Sequence, residues 1–220
     1  MTVSAQTASE AAALTAPGMG RFFVFEGIDG SGKSTVARMV YERFATMGRE
    51  PVLTAEPTDS WVGDMVRRGN EEASSPFTET LLYVADRAEH TSQIERWLAS
   101  GKSVVCDRYV GSTLAYQGVT LRPHLGEAAR DWLRSINAPF TLRPDATFLL
   151  LLDPELAMER LDSRPEREKF EKLDFLRSVD EEYRRLAEED GSYVVIDASL
   201  PLEEVAEAVW AIMNDASRRR

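Results

Sequence analysis

Gly27-Ile28-Asp29-Gly30-Ser31-Gly32-Lys33-Ser34 fit the pattern G-x-x-x-x-G-K-S/T, and the chemistry of that pattern is phosphate binding. Glycines let the backbone approach an anion closely, and successive N–H groups plus the N-terminus of a following helix can surround a β-phosphate. Lys33 is then placed to reach β- and γ-oxygens, and the Ser34 hydroxyl to bind Mg²⁺. The pattern predicts a site for ATP or GTP with magnesium. It does not say what receives the phosphoryl group, because GTPases, ATPases and small-molecule kinases share it.

The acceptor must be sought elsewhere in the chain. Asp107 follows the apolar run Val104-Val105-Cys106, where a carboxylate at the end of a strand can hold Mg²⁺ or its waters. Arg108 would bring a guanidinium into the same cleft, and phosphoryl transfer between two polyanions needs positive charge from several directions. Tyr109 to Gly118 mixes aromatic, small and hydroxyl-bearing residues, a composition suited to the wall of a pocket for a planar base and equally to an ordinary loop. Arg160, Arg164, Arg167 and Lys169 place four cations in ten residues of an acidic chain. Together they can form a segment that closes over phosphates and excludes water. His90 and His124, the two histidines, read as structural or solvated. An acceptor that is already an ionised phosphate needs no strong general base. A nucleoside acceptor would need one, and Glu56 is the obvious candidate.

These residues need elements to hold them. Arg21 to Gly27 is a β-prone run ending in glycine, and Lys33 to Met47 has helical spacing through Val36, Val40, Tyr41 and Phe44, so the phosphate loop lies between a strand and a helix. Pro51 to Ala55 reads as a second strand and Trp61 as the start of a helix. Thr78 to Ser100 reads as a helix stopped by Gly101. Strands are expected at 103–107, 147–153 and 192–197, and helices at 127–136, from Pro154 to about Leu161, from Lys169 to Glu189, and from Pro201 to Ala216. Strands alternating with helices predict an α/β fold of the P-loop NTPase type. About five parallel strands are covered by helices on both faces, with a short helical lid at about 160–172 and ligands at the carboxyl ends of the strands.

With 220 residues, 43% hydrophobic and 29% charged, the chain has the composition of a globular protein with one P-loop domain over 21–216. Residues 1–20 read as a mobile tail and 217–220 as a basic end. A net charge of −11 disfavours binding to a nucleic-acid polymer. No apolar run approaches the roughly 20 residues a membrane helix needs, and the first residues lack the pattern of a secretory signal. The single cysteine, Cys106, cannot form an internal disulfide, which fits the cytoplasm, and it reads as a small buried hydrophobe.

Taken in order, GIDGSGKST, Glu56-Pro57, LLYVADR, DRYVGSTLAYQG and the late VIDAS make the chain similar to the thymidylate kinases over about Arg21 to Ala211. The DRY segment followed by S-T-x-A-Y-Q-G distinguishes that family from adenylate and shikimate kinases. The resemblance implies transfer of the γ-phosphoryl of ATP to dTMP with Mg²⁺, in dTTP synthesis, by a homodimer. It implies that residues 27–35, Thr35 included, bind ATP and that Arg160 stacks on adenine. Tyr83 would stack on thymine, Arg87 bind the base edge, and Thr113 and Tyr116 read N3 and crowd the 2′ position, with Ser112 and Gln117 in the same pocket. Asp29 would approach the acceptor's sugar and phosphate beside Glu56, Pro57 and Arg108. Arg164 and Arg167 would act as lid cations, since Gly30 stands where other members carry a loop arginine. Many bacterial members also have an arginine before the Glu-Pro pair, where this chain has Ala55. Arg67 or Arg68 is the substitute to consider. Another pyrimidine nucleotide or a deoxynucleoside as acceptor, or a nucleotide-dependent switch, remains as an alternative, the last without a guanine-reading N-K-x-D motif.

Overall fold

A computed structural model describes residues 20–46, 50–72, 74–162 and 173–218. Five strands, β1 (Phe22–Glu26), β2 (Val52–Ala55), β3 (Val104–Asp107), β4 (Ala146–Leu151) and β5 (Tyr193–Asp197), form one parallel sheet in the order β2-β3-β1-β4-β5. From β1 the chain first runs to the β2 edge, returns inward as β3 beside β1, and then crosses to the other side for β4 and β5. The carboxyl end of β1 is therefore the point where the strand order reverses, where a crevice opens in sheets of this kind. Register sets the level at which the strands end. Asp107 pairs with Phe25 on one side and Ala55 on the other, so the ends of β1, β2 and β3 lie abreast.

The central strands β1 and β4 are buried on both faces, as near-continuous apolar runs require. Alternation sends Phe23 and Phe25 of β1 to one face, where they pack with Phe148 and with Val36, Val40 and Phe44 of helix α1 (Lys33–Thr46). Phe22 and Val24 face the other way, onto Cys106 and onto Ile94 and Leu98 of α3 (Pro76–Ala99). Before α3, the short α2 (Trp61–Glu71) is capped by Ser60, whose Oγ accepts from the N–H groups of Val62 and Gly63. The remaining helices are α4 (Val110–Leu125), α5 (Ala128–Asn137), α6 (Pro154–Asp162), α7 (Leu173–Glu189) and α8 (Leu202–Arg218).

The expected elements are present with ends shifted by a few residues, and α4 is the correction. The segment expected as a pocket wall or loop is a 16-residue helix. Two glycines, several β-branched residues and Pro123 hide it from propensity, while burial on α5 and α7 stabilises it through Leu114, Ala115 and Leu121. Gly111 allows its first turn to approach β1: a Cβ there would lie 2.8 Å from Glu26 Oε1 and 2.7 Å from the Tyr193 hydroxyl. Most of the expected lid, with Arg164, Arg167, Lys169 and the start expected for the long helix, lies outside the described residues, as does the tail up to residue 19.

Candidate functional site

The phosphate loop turns out of β1 through three glycines with positive φ, Gly27 (144°), Gly30 (84°) and Gly32 (85°). L side chains are strained in that region. At Gly30 space is also short, since a Cβ would lie 2.6 Å from the Ala157 carbonyl of α6. A loop arginine at this position has no room in this chain. Lys33 is buried, with Nζ donating to the Ile28 carbonyl (3.3 Å) and to Asp29 Oδ1 (3.4 Å). Burial and the Arg108 charge push its pKa down, against the pull of Asp29 and Asp107. Ser34 and Thr35 are exposed on the first turn of α1, and the buried Ser31 Oγ has no partner among the described residues.

Arg108 follows β3 with φ of 71°, a conformation that costs a non-glycine residue of order 1–3 kcal/mol and that surrounding contacts must hold. Glu26 supplies those contacts. This fully buried carboxylate accepts from the N–H groups of Tyr109 (2.9 Å) and Ser112 (3.0 Å) and from the hydroxyls of Ser112 (2.6 Å) and Tyr183 (2.9 Å). Burial raises its pKa above the usual carboxylate range, opposed by Ser112, Arg108 and Tyr183. Sequence reasoning missed Glu26. Its signal was a charged residue closing an otherwise apolar central strand.

So held, Arg108 reaches across to the phosphate loop. Its Nη2 pairs with Asp29 Oδ1, its Nη1 donates to Ser112 Oγ (3.1 Å), and its guanidinium lies 5.0 Å from the Tyr116 ring centre. Tyr116 closes the triangle, its hydroxyl donating to Asp29 Oδ2 (2.9 Å) and accepting from the Asp29 N–H (3.0 Å). Burial opposes the Asp29 charge, but Arg108 and Lys33 outweigh it and hold the carboxyl well below its usual range. The Arg108 charge is likewise secured, with Asp29 the main support against burial.

The opposite wall hangs on α3. Glu56 and Pro57, joined by a cis peptide bond, follow β2. Arg87 Nη2 donates to Glu56 Oε2 (2.6 Å) and to the Tyr109 carbonyl (3.1 Å), and Nη1 to Asn137 Oδ1 (2.9 Å). One turn earlier, Tyr83 is half-buried and its hydroxyl accepts from Asn70 Nδ2 (3.0 Å). Asp86 ties down the next turn through the Thr58 N–H (2.8 Å), the Thr58 hydroxyl (2.5 Å) and the Ser60 hydroxyl (3.3 Å). Asp86 stood inside the LLYVADR motif with no role assigned to it, and Asn137 and Asn70 carried no sequence signal of their own.

Between the walls lies a cleft of about 270 Å³, lined by Asp29, Gly30, Gly32 and Lys33 to Thr35, by Glu56 and Pro57, by Tyr83 and Arg87, and by Arg108, Ser112, Thr113, Tyr116 and Gln117. Asp29, Glu56, Pro57, Tyr83, Arg87, Arg108, Ser112, Thr113, Tyr116 and Gln117, expected from sequence on the acceptor side, are in that lining, whereas Asp107, Arg67 and Arg68 are not. Three of its surroundings carry polar atoms that are buried without a partner among the described residues: Thr113 Oγ1, Arg87 Nε and Asp107 Oδ1. Such atoms are costly unless a ligand or ion completes them. Arg160 stands apart, with both Nη atoms 3.3 Å from the Ala198 carbonyl beyond β5. Arg67 Nη2 donates to the Thr58 carbonyl (2.8 Å) behind the Glu-Pro turn, whereas Arg68 turns to Glu72 (2.6 Å) in solvent.

A hard cation fits the donor set. The Ser34 hydroxyl and the unpartnered Asp107 oxygen are both oxygen donors, and among the described residues no group of three or more His, Cys, Asp or Glu could form a protein cage. Magnesium characteristically takes one or two protein oxygens together with substrate phosphates.

A glycine-rich loop at the reversal point of a parallel sheet, facing a second wall of arginine and aromatic side chains, defines a P-loop kinase for a small acceptor. Residues 25–209 match the family model for thymidylate kinase. A protein of Methanosarcina mazei described as a probable thymidylate kinase is 45% identical over 193 residues, 86% of this chain and 93% of its own length. One from Methanoculleus marisnigri with the same description is 45% identical over 195 residues (88% and 94%), and one from Natronomonas pharaonis 42% over 186 (83% and 92%). The chain belongs to the thymidylate kinase family.

Proposed function

We propose that the chain transfers the γ-phosphoryl group of ATP to dTMP, giving dTDP and ADP. The observation that carries this reading is the Asp29–Arg108–Tyr116 triangle, which joins the phosphate loop to the acceptor wall within one cleft. The acceptor oxygen is already ionised, so these residues need only align two polyanions and neutralise charge as it spreads over the transferring group. Lys33 meets the β- and γ-oxygens, and Arg108 meets the acceptor phosphate and the moving phosphoryl. Asp29 holds Arg108 ready and gives way as phosphate charge arrives. Ser34 and Asp107 would hold Mg²⁺, which when bound neutralises β- and γ-oxygens.

On the acceptor wall Tyr83 stacks on the pyrimidine, Arg87 meets its edge, Thr113 reads N3, and Tyr116 fills the space a 2′-hydroxyl would need. Gln117, whose Nε2 is 3.4 Å from Glu79 Oε1, borders the same base. Arg160, Arg164 and Arg167 complete the donor side as the adenine and lid cations. The assembly we propose is a homodimer, supported by the exposed apolar side chains Trp61 and Met65 on α2 and Phe77 and Leu81 on α3. A cytoplasmic location is proposed alongside. Among the described residues no helix is long and apolar enough to cross a membrane.

A deoxynucleoside acceptor would call on Glu56 as base. Both Glu56 oxygens are engaged, one by Arg87 and one by His90 Nδ1 (3.0 Å), which favours the phosphate acceptor. The test is an ADP-release assay with ATP and Mg²⁺ over dTMP, dUMP, dCMP, UMP, AMP and thymidine. Selective turnover of dTMP supports the reading; turnover of thymidine alone overturns it.

A further inference from the structure

Behind the acceptor wall runs a chain of polar contacts that the transfer reaction does not itself use. His90 lies one helical turn after Arg87 on α3, is 2% exposed, and is absent from the cleft lining. Its Nδ1 is 3.0 Å from Glu56 Oε1 and its Nε2 2.7 Å from the Thr54 hydroxyl on β2. The Trp97 ring packs edge-on against it at 6.3 Å. Glu56 accepts from a guanidinium on its other oxygen, and with Oε1 likewise an acceptor the imidazole proton facing it belongs on Nδ1. In the neutral ring Nε2 is then the acceptor, and the Thr54 hydroxyl is the donor that fixes this tautomer. The imidazole is a spacer of fixed length and polarity between β2 and the carboxylate.

Glu56 in turn is one of three acceptors that aim Arg87, with Asn137 and the Tyr109 carbonyl. Arg87 lines the cleft, and its Nε–H has no partner among the described residues. A guanidinium held on three sides cannot turn to suit a different ligand. Without His90, Glu56 loses its hold on Oε1 and can rotate, and Arg87 follows it.

We propose that His90 is a positioning residue for acceptor selection: through Glu56 it fixes the direction in which the Arg87 donors meet the acceptor's base. The inference rests on Arg87 meeting that base. A fixed N–H donor favours a base edge presenting a carbonyl oxygen over one presenting an amino group, where two donors would confront each other. The consequence is discrimination between 4-oxo and 4-amino pyrimidine nucleotides that depends on a residue touching neither.

The experiment compares kcat and KM for dTMP, dCMP and ATP in the full chain and in Arg87→Lys, His90→Leu, His90→Asn and Thr54→Val. His90→Leu is expected to lower the dTMP-to-dCMP ratio of kcat/KM by about tenfold, the size of one charge-assisted hydrogen bond. The loss should come through KM for dTMP, with KM for ATP within about twofold of its original value. His90→Asn, whose amide N–H can occupy the place of Nδ1–H, should recover much of the ratio, and Thr54→Val should lower it by about threefold. If His90→Leu does not fold, His90→Asn and Thr54→Val decide: intermediate ratios support the role and unchanged ratios overturn it. An unchanged ratio in both His90→Leu and Thr54→Val overturns it, as does an equal loss toward dTMP, dCMP and ATP. When Arg87→Lys shifts the ratio and the His90 and Thr54 variants do not, only the positioning role falls. When Arg87→Lys leaves the ratio unchanged, the assignment of Arg87 falls as well.

Discussion

Two arginine–carboxylate pairs face each other across the cleft, and they are built on opposite plans. Arg87, on the regular helix α3, and Glu56, just after β2, are 1% and 3% exposed in their side chains and are held further by Asn137, the Tyr109 carbonyl and His90. Arg108 and Asp29 are 18% and 19% exposed, and Arg108 sits on a turn with positive φ that a buried glutamate holds in place. A dry, fully coordinated pair cannot exchange partners cheaply. A partly open pair can, and the phosphates of two substrates are better partners for Arg108 than one carboxylate. Under the proposed function the first pair reads shape and polarity, and the second follows charge during the reaction.

This contrast can be broken by experiment. Glu56→Ala should give the largest effect, a loss of about 3–5 kcal/mol in unfolding free energy, because it leaves the Arg87 charge buried with neutral acceptors only. Chemical denaturation measures it, and a loss under about 1 kcal/mol would show that the pair is not dry. Arg108→Ala should behave in the opposite way, lowering kcat by about 10²–10³-fold while the denaturation midpoint moves far less than in Glu56→Ala. A midpoint shift as large as that of Glu56→Ala would erase the distinction.

Tyr116→Phe removes both hydrogen bonds of the hydroxyl with Asp29, the one donated to Oδ2 and the one accepted from the N–H, and keeps the ring beside Arg108. A fall of about tenfold in kcat is expected, with steady-state kinetics as the check. The pH dependence of ATP binding tests the same open side through Lys33. Its folded-state pKa is lowered by burial and Arg108, whereas ATP favours the charged form. KM for ATP should therefore rise with pH in the alkaline range, beginning below the ordinary lysine value of about 10.4. A flat profile up to that value would contradict the lowered pKa. The smallest effect separates two neighbouring arginines. Arg67→Ala, which frees the Thr58 carbonyl behind the Glu-Pro turn, should raise KM for dTMP about threefold to tenfold. Arg68→Ala, which breaks a solvent-exposed pair with Glu72, should change neither kcat/KM nor the melting temperature measurably. The reverse order would place Arg68 at the acceptor.

The phosphate loop is a contiguous stretch in which the glycines, Lys33 and Ser34 act through local backbone geometry, so its chemistry could be read from residues 27–35 alone. The alternation of strands and helices was legible for a related reason: hydrophobic period and glycine stops are local signals. Tyr83, Arg87, Thr113 and Tyr116 were legible only because they resemble a family's motifs, and the cleft brings them together with the loop. What sequence could not supply is everything that depends on polar partners distant in the chain. Glu26 and Tyr183 meet across 157 positions, Arg87 and Asn137 across 50, and Glu56 and His90 across 34. Helix α4 belongs with these, since burial on α5 and α7 overrides its poor local propensity. A buried carboxylate, histidine or asparagine is tolerated only once folding delivers its partner. Sequence by itself determined the loop, the strand–helix order and the kind of chemistry. Tertiary structure alone decided which charges are held rigid and which are left free to move.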